Sequence, residues 1–265
     1  MKIIDQYTAQ NKKSQTAYQQ AQRLLPSGNT RSALHWSPYP LTMASGKGSK
    51  ITDIDGNQRT DLNYNNTTLI LGHNHPKVIH AARTQIKKGL VIGAPTETEP
   101  RLAEELLRRL KIDRIRFTPT GTEANMQALR VARAKTGKPL IAKCHGAYHG
   151  SWDAVPLNPG NPGIPPSVEQ YTVYFPYNNP EEAEKTIKQH RDHLAAVIVE
   201  PTMRDMEPKQ GFLETVRETT AQHDIPLVFD EVISFLRVVV WEIDCVLLYA
   251  GWYPGVAWVE GYCVP

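Results

Sequence analysis

Thr120-Gly121-Thr122-Glu123 places two hydroxyls and a glycine between a short apolar run, Ile115-Arg116-Phe117, and a helix-like segment reaching about Lys135. A strand entering, a tight turn at Gly121 and a helix leaving bring backbone N–H groups, the positive end of a helix dipole and the Thr120 and Thr122 hydroxyls to one point. That combination suits a phosphate. A plain helix cap at Thr120 or Thr122 accounts for the same residues. Further polar groups stand where β-patterns end: Tyr148-His149, Glu200 and Asp230. In open α/β sheets, ligands bind outside the carboxyl ends of the strands. Each acid alone reads equally well as the cap of a following turn; four such places in succession point to one shared site.

Other candidates stand alone. Arg31 follows the turn Pro26-Ser27-Gly28-Asn29. It reads either as a solvated surface group or as the residue type that grips a carboxylate with two parallel hydrogen bonds, and the sequence does not choose. His73 and His75, two apart, have no Cys, Asp or Glu at metal-ligand spacing and lie among Gly and Pro turns. Cys144, His145 and His149 are interrupted by glycines, against a helical pair of ligands. No metal is expected at either place. No GxGxxG follows a strand, and Gly46-Lys47-Gly48 lacks the spacing of a phosphate-binding P-loop, which argues against a nucleotide-binding dehydrogenase or NTPase.

These groups need elements to position them. Residues 5–25 read as one polar helix ending at Pro26. Ile51–Ile54 and Gln58–Leu62 flank Asp55-Gly56-Asn57, a strong hairpin signal. A helix is expected from Pro76 to about Lys88, and another from Thr98 to Leu110 with Leu102, Leu106, Leu107 and Leu110 on one face. Then strands and helices alternate: strand 115–117, helix 122–135, strand 140–143, a Gly-containing loop at 144–150, and a Pro/Gly-rich loop at 158–166. Strand 172–175, helix 180–190, strand 195–199, helix 211–223 and strand 227–229 complete the run. This is an α/β pattern. The expected division is an N-terminal helix and hairpin segment at 1–65, a large domain at 66–235 and a tail at 236–265.

With 265 residues, the chain is long enough for one large α/β domain and a smaller lobe. A net charge of +3 without any Lys/Arg run gives no reason to expect nucleic acid. The first residues, Met1-Lys2-Ile3-Ile4-Asp5-Gln6, lack the apolar core of a signal peptide, and three scattered cysteines form no framework. A cytoplasmic protein with no membrane partner is the expectation.

The ordered set Asp53-Ile54-Asp55-Gly56-Asn57, Leu71-Gly72-His73-Asn74-His75-Pro76, Thr120-Gly121-Thr122-Glu123-Ala124-Asn125, Tyr148-His149-Gly150, Glu200-Pro201 and Phe229-Asp230-Glu231-Val232 resembles the class III, pyridoxal-phosphate-dependent aminotransferases. The branch most similar is that of glutamate-1-semialdehyde 2,1-aminomutase, with the β-amino-acid transaminases suggested by Pro26-Ser27-Gly28-Asn29-Thr30-Arg31-Ser32. The resemblance covers roughly residues 20–235. It implies a fold-type I large domain, a mixed and mostly parallel sheet with helices on both faces, incomplete at its C-terminus. It implies pyridoxal 5'-phosphate (PLP) as cofactor, a small amino or keto acid as substrate, and a homodimer. By resemblance, Thr120, Gly121 and Thr122 hold the cofactor phosphate, with Thr120 where the family usually has Ser. Tyr148 lies against one face of the pyridine ring and Val232 packs on the other. Asp230 pairs with the ring nitrogen, His149 and Glu200 belong to the cofactor site, and Arg31 binds the substrate carboxylate. A carboxylate beside the ring nitrogen keeps it protonated, so that the ring draws electrons from the substrate carbanion.

The pattern is departed from near Ser234-Phe235-Leu236. The family's Schiff-base lysine follows the aspartate, and here no lysine occurs after Lys209. Neither Lys143 nor Lys209 matches its position, so no catalytic residue is assigned. The tail holds three of the five tryptophans and two of the three cysteines. It reads either as an altered reading frame with an early stop, leaving an unpaired sheet edge, or as a divergent tail packing as one more strand pair. The expectation is an aminotransferase or aminomutase whose chain, as written, is inactive. The alternatives are a non-catalytic cofactor-binding or subunit-association module and a misfolded fragment.

Overall fold

A computed structural model describes residues 2–110, 112–235 and 237, together with the backbone of two strands at 246–249 and 255–257. The chain divides into two units, Met1–Gly93 and Ala94–Pro265. Residues 66–93, which the sequence alone assigns to the large domain, belong to the first unit.

In the first unit, α1 (Ile3–Gln10) and α2 (Lys12–Gln22) replace the single helix expected over 5–25. The break falls at Asn11, whose φ of −130° leaves the helical region. Asn11 Oδ1 accepts from Arg59 Nη2 at 2.8 Å, and its Nδ2 donates to Tyr7 O at 2.6 Å. A tertiary contact therefore stops the helix where local composition would continue it. Three antiparallel strands follow, β1 (Met43–Lys47), β2 (Lys50–Asp53) and β3 (Gln58–Thr60), in that order across the sheet. The hairpin motif has structural work. Asp53 is buried and accepts from Asn57 N at 2.8 Å and Arg59 Nη2 at 2.8 Å. Asp55 reaches back to the start of α2, accepting from Lys13 N at 2.7 Å and from Ser14 N and Oγ at 3.0 and 2.7 Å. His73 hydrogen-bonds Asp61 at 2.7 Å, and α3 (Pro76–Ile86) closes the unit.

The second unit opens with α4 (Thr98–Leu110), whose four leucines are each half-buried. Then come β4 (Arg116–Thr118), α5 (Gly121–Thr136), β5 (Leu140–Cys144), α6 (Pro166–Glu169), β6 (Thr172–Phe175) and α7 (Pro180–His190). β7 (Leu194–Val199), α8 (Phe212–Gln222), β8 (Leu227–Asp230), β9 (Val246–Tyr249) and β10 (Gly255–Ala257) complete it. The sheet order is β4-β10-β9-β8-β7-β5-β6, parallel from β9 through β6 and antiparallel where β10 meets β9 and β4. Of the two readings of the tail, the unpaired edge beside β8 is not observed: β9 lies on it in parallel and β10 pairs with β9, the arrangement of one more strand pair. The reading-frame question for the rest of 236–265 falls, Arg237 apart, on residues outside those described.

Strand parity divides the core. Ile141, Ala196, Ile198 and Val228 pack with Ala124, Ala128, Leu129 and Ala132 of α5 on one face. Ala142, Cys144, Val197, Val199, Leu227 and Phe229 pack with residues of α7 and α8 on the other. Every residue of β7 is buried, as befits a strand covered on both sides. No helix among the described residues is long and apolar enough to cross a membrane.

Candidate active site

Alternation along a strand carries the site to one face. With Ile141, Ile198 and Val228 facing α5, the residues two further on, Lys143, Glu200 and Asp230, face the same way at the C-terminal ends of neighbouring strands β5, β7 and β8. All three are buried. Three charged groups there are tolerable only if each is paired or hydrogen-bonded.

Asp230 meets that condition through three donors. Its Oδ2 accepts from His149 Nδ1 at 2.9 Å and from Asn125 Nδ2 at 2.8 Å, and its Oδ1 accepts from Val232 N at 3.2 Å. Because His149 Nδ1 faces a carboxylate oxygen, it carries the ring proton. Nε2 is left without a hydrogen-bond partner among the described residues. Burial pushes the His149 pKa down, and Asp230 opposes that shift.

Glu200 accepts from Tyr148 N at 3.1 Å. Burial, reinforced by the charge of Asp230, pushes its pKa up to about 7, against the pull of the Tyr148 N–H, Lys143 and Arg204. Lys143 Nζ donates to Ala147 O at 2.9 Å and Pro156 O at 2.8 Å, so the ammonium clips both ends of the loop that carries Tyr148 and His149. Burial pushes its pKa down to about 8. Its amine is thus committed to the backbone, and Lys209 is exposed. Arg204, at a φ of 60°, ties the loop after β7 to the same segment by donating to Gly146 O at 3.0 Å.

At the start of α5, Thr120 is the N-cap, its hydroxyl accepting from Glu123 N at 3.1 Å. The cap does not use up the helix N-terminus, because one hydroxyl serves only one of the N–H groups of the first turn. Thr122 Oγ1 accepts from Ser151 N at 3.3 Å, and Ser151 Oγ lies 3.1 Å from Tyr148 Oη. Tyr148 is 54% exposed, leaving a ring face open. Gly150, at a φ of 106°, brings the loop against Thr122 so closely that a Cβ would lie 2.5 Å from Thr122 Oγ1.

The structure thus gathers His149, Glu200, Asp230 and Val232 with Asn125, and it joins Tyr148 to both Glu200 and the Ser151–Thr122 link. Arg31 lies in the first unit, its Nη1 donating to Asn65 Oδ1 at 3.0 Å. Sequence reasoning missed Asn125, Arg204 and Ser151, and it weighed Lys143 only as a substitute for the absent lysine. For Lys143, the signal was its parity with Ile141 in an otherwise apolar strand.

The aminotransferase class-III family profile matches residues 32–235. The chain belongs to this family. Glutamate-1-semialdehyde 2,1-aminomutase of Methanothermobacter thermautotrophicus is 38% identical over 238 residues, 85% of this chain and 57% of that protein. A solved transaminase with PLP bound superposes with a TM-score of 0.87 at 35% identity, covering 94% of this chain and 65% of the other. A glutamate-1-semialdehyde-aminomutase variant from Pseudomonas aeruginosa PAO1, in complex with PMP, gives a TM-score of 0.83 at 27% identity, covering 97% and 62%. The fold is that of the fold-type I PLP transaminases, and PLP is the class III cofactor. The chain spans about three fifths of the length of the curated relatives it matches.

Glu200 makes stability depend on pH with a definite sign. Its pKa in the folded chain, about 7, lies above its ordinary value of 4.5, so the folded chain binds this proton more tightly. The stabilisation is complete below pH 4.5 and is lost as pH rises through about 7. Glu200→Gln keeps an acceptor for Tyr148 N and removes the titration. We expect urea midpoints that fall less between pH 5 and pH 8 than those of the wild type. The difference corresponds to at most roughly 3 kcal/mol. Parallel curves would refute this assignment.

Proposed function

We propose that this chain holds PLP and forms the cofactor-binding part of an aminotransferase or aminomutase of the glutamate-1-semialdehyde aminomutase type, acting on a small amino or keto acid. The observation that carries the reading is the buried Asp230–His149–Asn125 cluster, whose Asn125 lies on the same helix whose N-terminus bears Thr120, Gly121 and Thr122. Asn125 is four residues beyond Gly121, about 6 Å of helix rise, so α5 itself spaces an anion site from a carboxylate. The residues fit the cofactor in two further ways. Gly150 leaves no Cβ to fill the space beside Thr122, and Tyr148 offers an exposed aromatic face.

In this reading, Thr120, Gly121 and Thr122 bind the phosphate by hydroxyls and helix-terminal N–H groups. Asp230 holds a proton on the ring nitrogen. His149 and Glu200 fix the carboxylate and the loop, and Tyr148 and Val232 orient the ring plane. Arg31 is the proposed partner of the substrate carboxylate. Bound PLP supplies an electron-withdrawing ring that stabilises a carbanion beside the substrate nitrogen. The proposal includes a homodimer in a cytoplasmic setting and a change in the character of the chain near residue 235.

With no lysine after Lys209 in this sequence, the chain as written is proposed to bind PLP without a covalent link and without sustained turnover. That makes a non-catalytic cofactor-holding module the second reading. Titrating the chain with PLP tests both. We expect saturable absorbance changes and no borohydride-fixed adduct. An absence of binding refutes the cofactor reading, and sustained transamination refutes the inactivity.

A further inference from the structure

Asn125 is buried on the inward face of α5, among Ala124, Ala128, Leu129 and Ala132, where packing alone favours an apolar side chain. Its Nδ2 donates to Asp230 Oδ2 at 2.8 Å and to His149 O at 3.0 Å. Both neighbours are acceptors, which fixes the orientation of the amide. Its Oδ1 is buried with no hydrogen-bond partner among the described residues. A buried carbonyl oxygen without a donor is costly, so the amide is held for what its nitrogen does.

Its two hydrogens connect three elements: the helix that ends in the proposed phosphate site, the loop that carries Tyr148 and His149, and the end of β8. The donor is neutral. An arginine or lysine here would orient Asp230 equally well but would also neutralise it as a partner for a cation.

We propose that Asn125 is a positioning residue for the cofactor ring: it aims the Asp230 carboxylate at a protonated pyridine nitrogen while leaving its negative charge uncompensated. The proposal rests on the reading that this site holds PLP. The rival role is a structural clip between α5 and the 148–150 loop, which would affect folding and every ligand alike.

The test uses the full chain, with Asn125→Leu and Asn125→Asp beside the wild type. Pyridoxamine phosphate and inorganic phosphate are titrated separately by calorimetry from pH 5.5 to 8.5, with thermal melts on the same samples. Pyridoxamine phosphate affinity at pH 8 is expected to fall about 10- to 100-fold in both variants, while phosphate affinity changes by less than about twofold. Asn125→Asp places a second carboxylate against Asp230, and on protonation it becomes a donor again. Its affinity should therefore recover as pH falls, whereas that of Asn125→Leu should not.

If either variant does not melt cooperatively, Asn125→Ser takes its place under the same criteria. Folded variants that bind pyridoxamine phosphate like the wild type overturn this proposal alone. Equal weakening of both ligands also overturns it, in favour of the clip. A wild type that binds phosphate but not pyridoxamine phosphate overturns the cofactor reading and this proposal with it.

Discussion

Gly150→Val is expected to lower the free energy of unfolding by about 3–5 kcal/mol, one of the two largest effects among single substitutions in the site. The first contribution is conformational. At a φ of 106°, position 150 lies where L-residues are strained, and a β-branched residue is strained most. The second is steric. A Cβ would lie 2.5 Å from Thr122 Oγ1 and 2.7 Å from Thr122 Cα, so relief requires moving backbone rather than swinging a side chain. The third is the Ser151 N–Thr122 Oγ1 hydrogen bond, which cannot survive that movement and contributes about 0.5–1.5 kcal/mol. Urea unfolding at pH 7 measures the sum. A loss below about 1 kcal/mol would mean that the loop and the helix N-terminus separate easily, contrary to the close approach seen here.

What the sequence made legible follows from the range of the interactions involved. Strand 172–175 and helix 180–190 have the expected limits because their signals are local. The first is a β-branched and aromatic run, the second a Pro at the first helical turn behind Asn179, whose side chain accepts from Glu182 N. β1 carried no such signal, because Met43-Ala44-Ser45-Gly46-Lys47 has no apolar alternation. α6 sits beside a Pro/Gly-rich stretch that reads as loop. The break at Asn11 depends on Arg59, 48 residues away. Strand β9, which covers β8, belongs to a tail whose composition read as foreign to the fold.

The site divides along the same line. Glu200 and Asp230 were legible because a carboxylate at the end of a buried parallel strand points to the mouth of an α/β sheet. The network around them was not. Asn125 looks like one more residue of a helix until Asp230, 105 positions later, is placed beside it. Lys143 was weighed only as a substitute for the family's lysine, and the structure gives it a different role. Two buried carbonyls, Ala147 O and Pro156 O, hold its amine and define the loop between them. Strand parity with Ile141 would have placed its side chain on the α5 face, and the residue type then demands polar partners there.

Asp230→Ala is expected to weaken pyridoxamine phosphate binding by at least about 100-fold at pH 7, since a buried charge-assisted hydrogen bond and the attraction between carboxylate and pyridinium are lost together. It is also expected to cost about 3–5 kcal/mol of stability, because His149 Nδ1 and Val232 N lose their acceptor and Asn125 Nδ2 keeps only His149 O. Asp230→Asn separates the two effects. The side-chain volume is kept and its oxygen can still accept from His149 and Asn125, so most of the stability should return. The nitrogen end then faces Val232 N, donor against donor, which leaves a smaller deficit. Ring binding should not return, because a neutral amide neither favours the protonated pyridine nitrogen nor opposes the downward push of burial on the His149 pKa. Inorganic phosphate serves as the internal control, since its proposed site at the N-terminus of α5 does not involve position 230. Calorimetric titration of both variants with both ligands decides the matter. Pyridoxamine phosphate affinity in Asp230→Asn within threefold of wild type would show that the carboxylate holds the fold and not the ring.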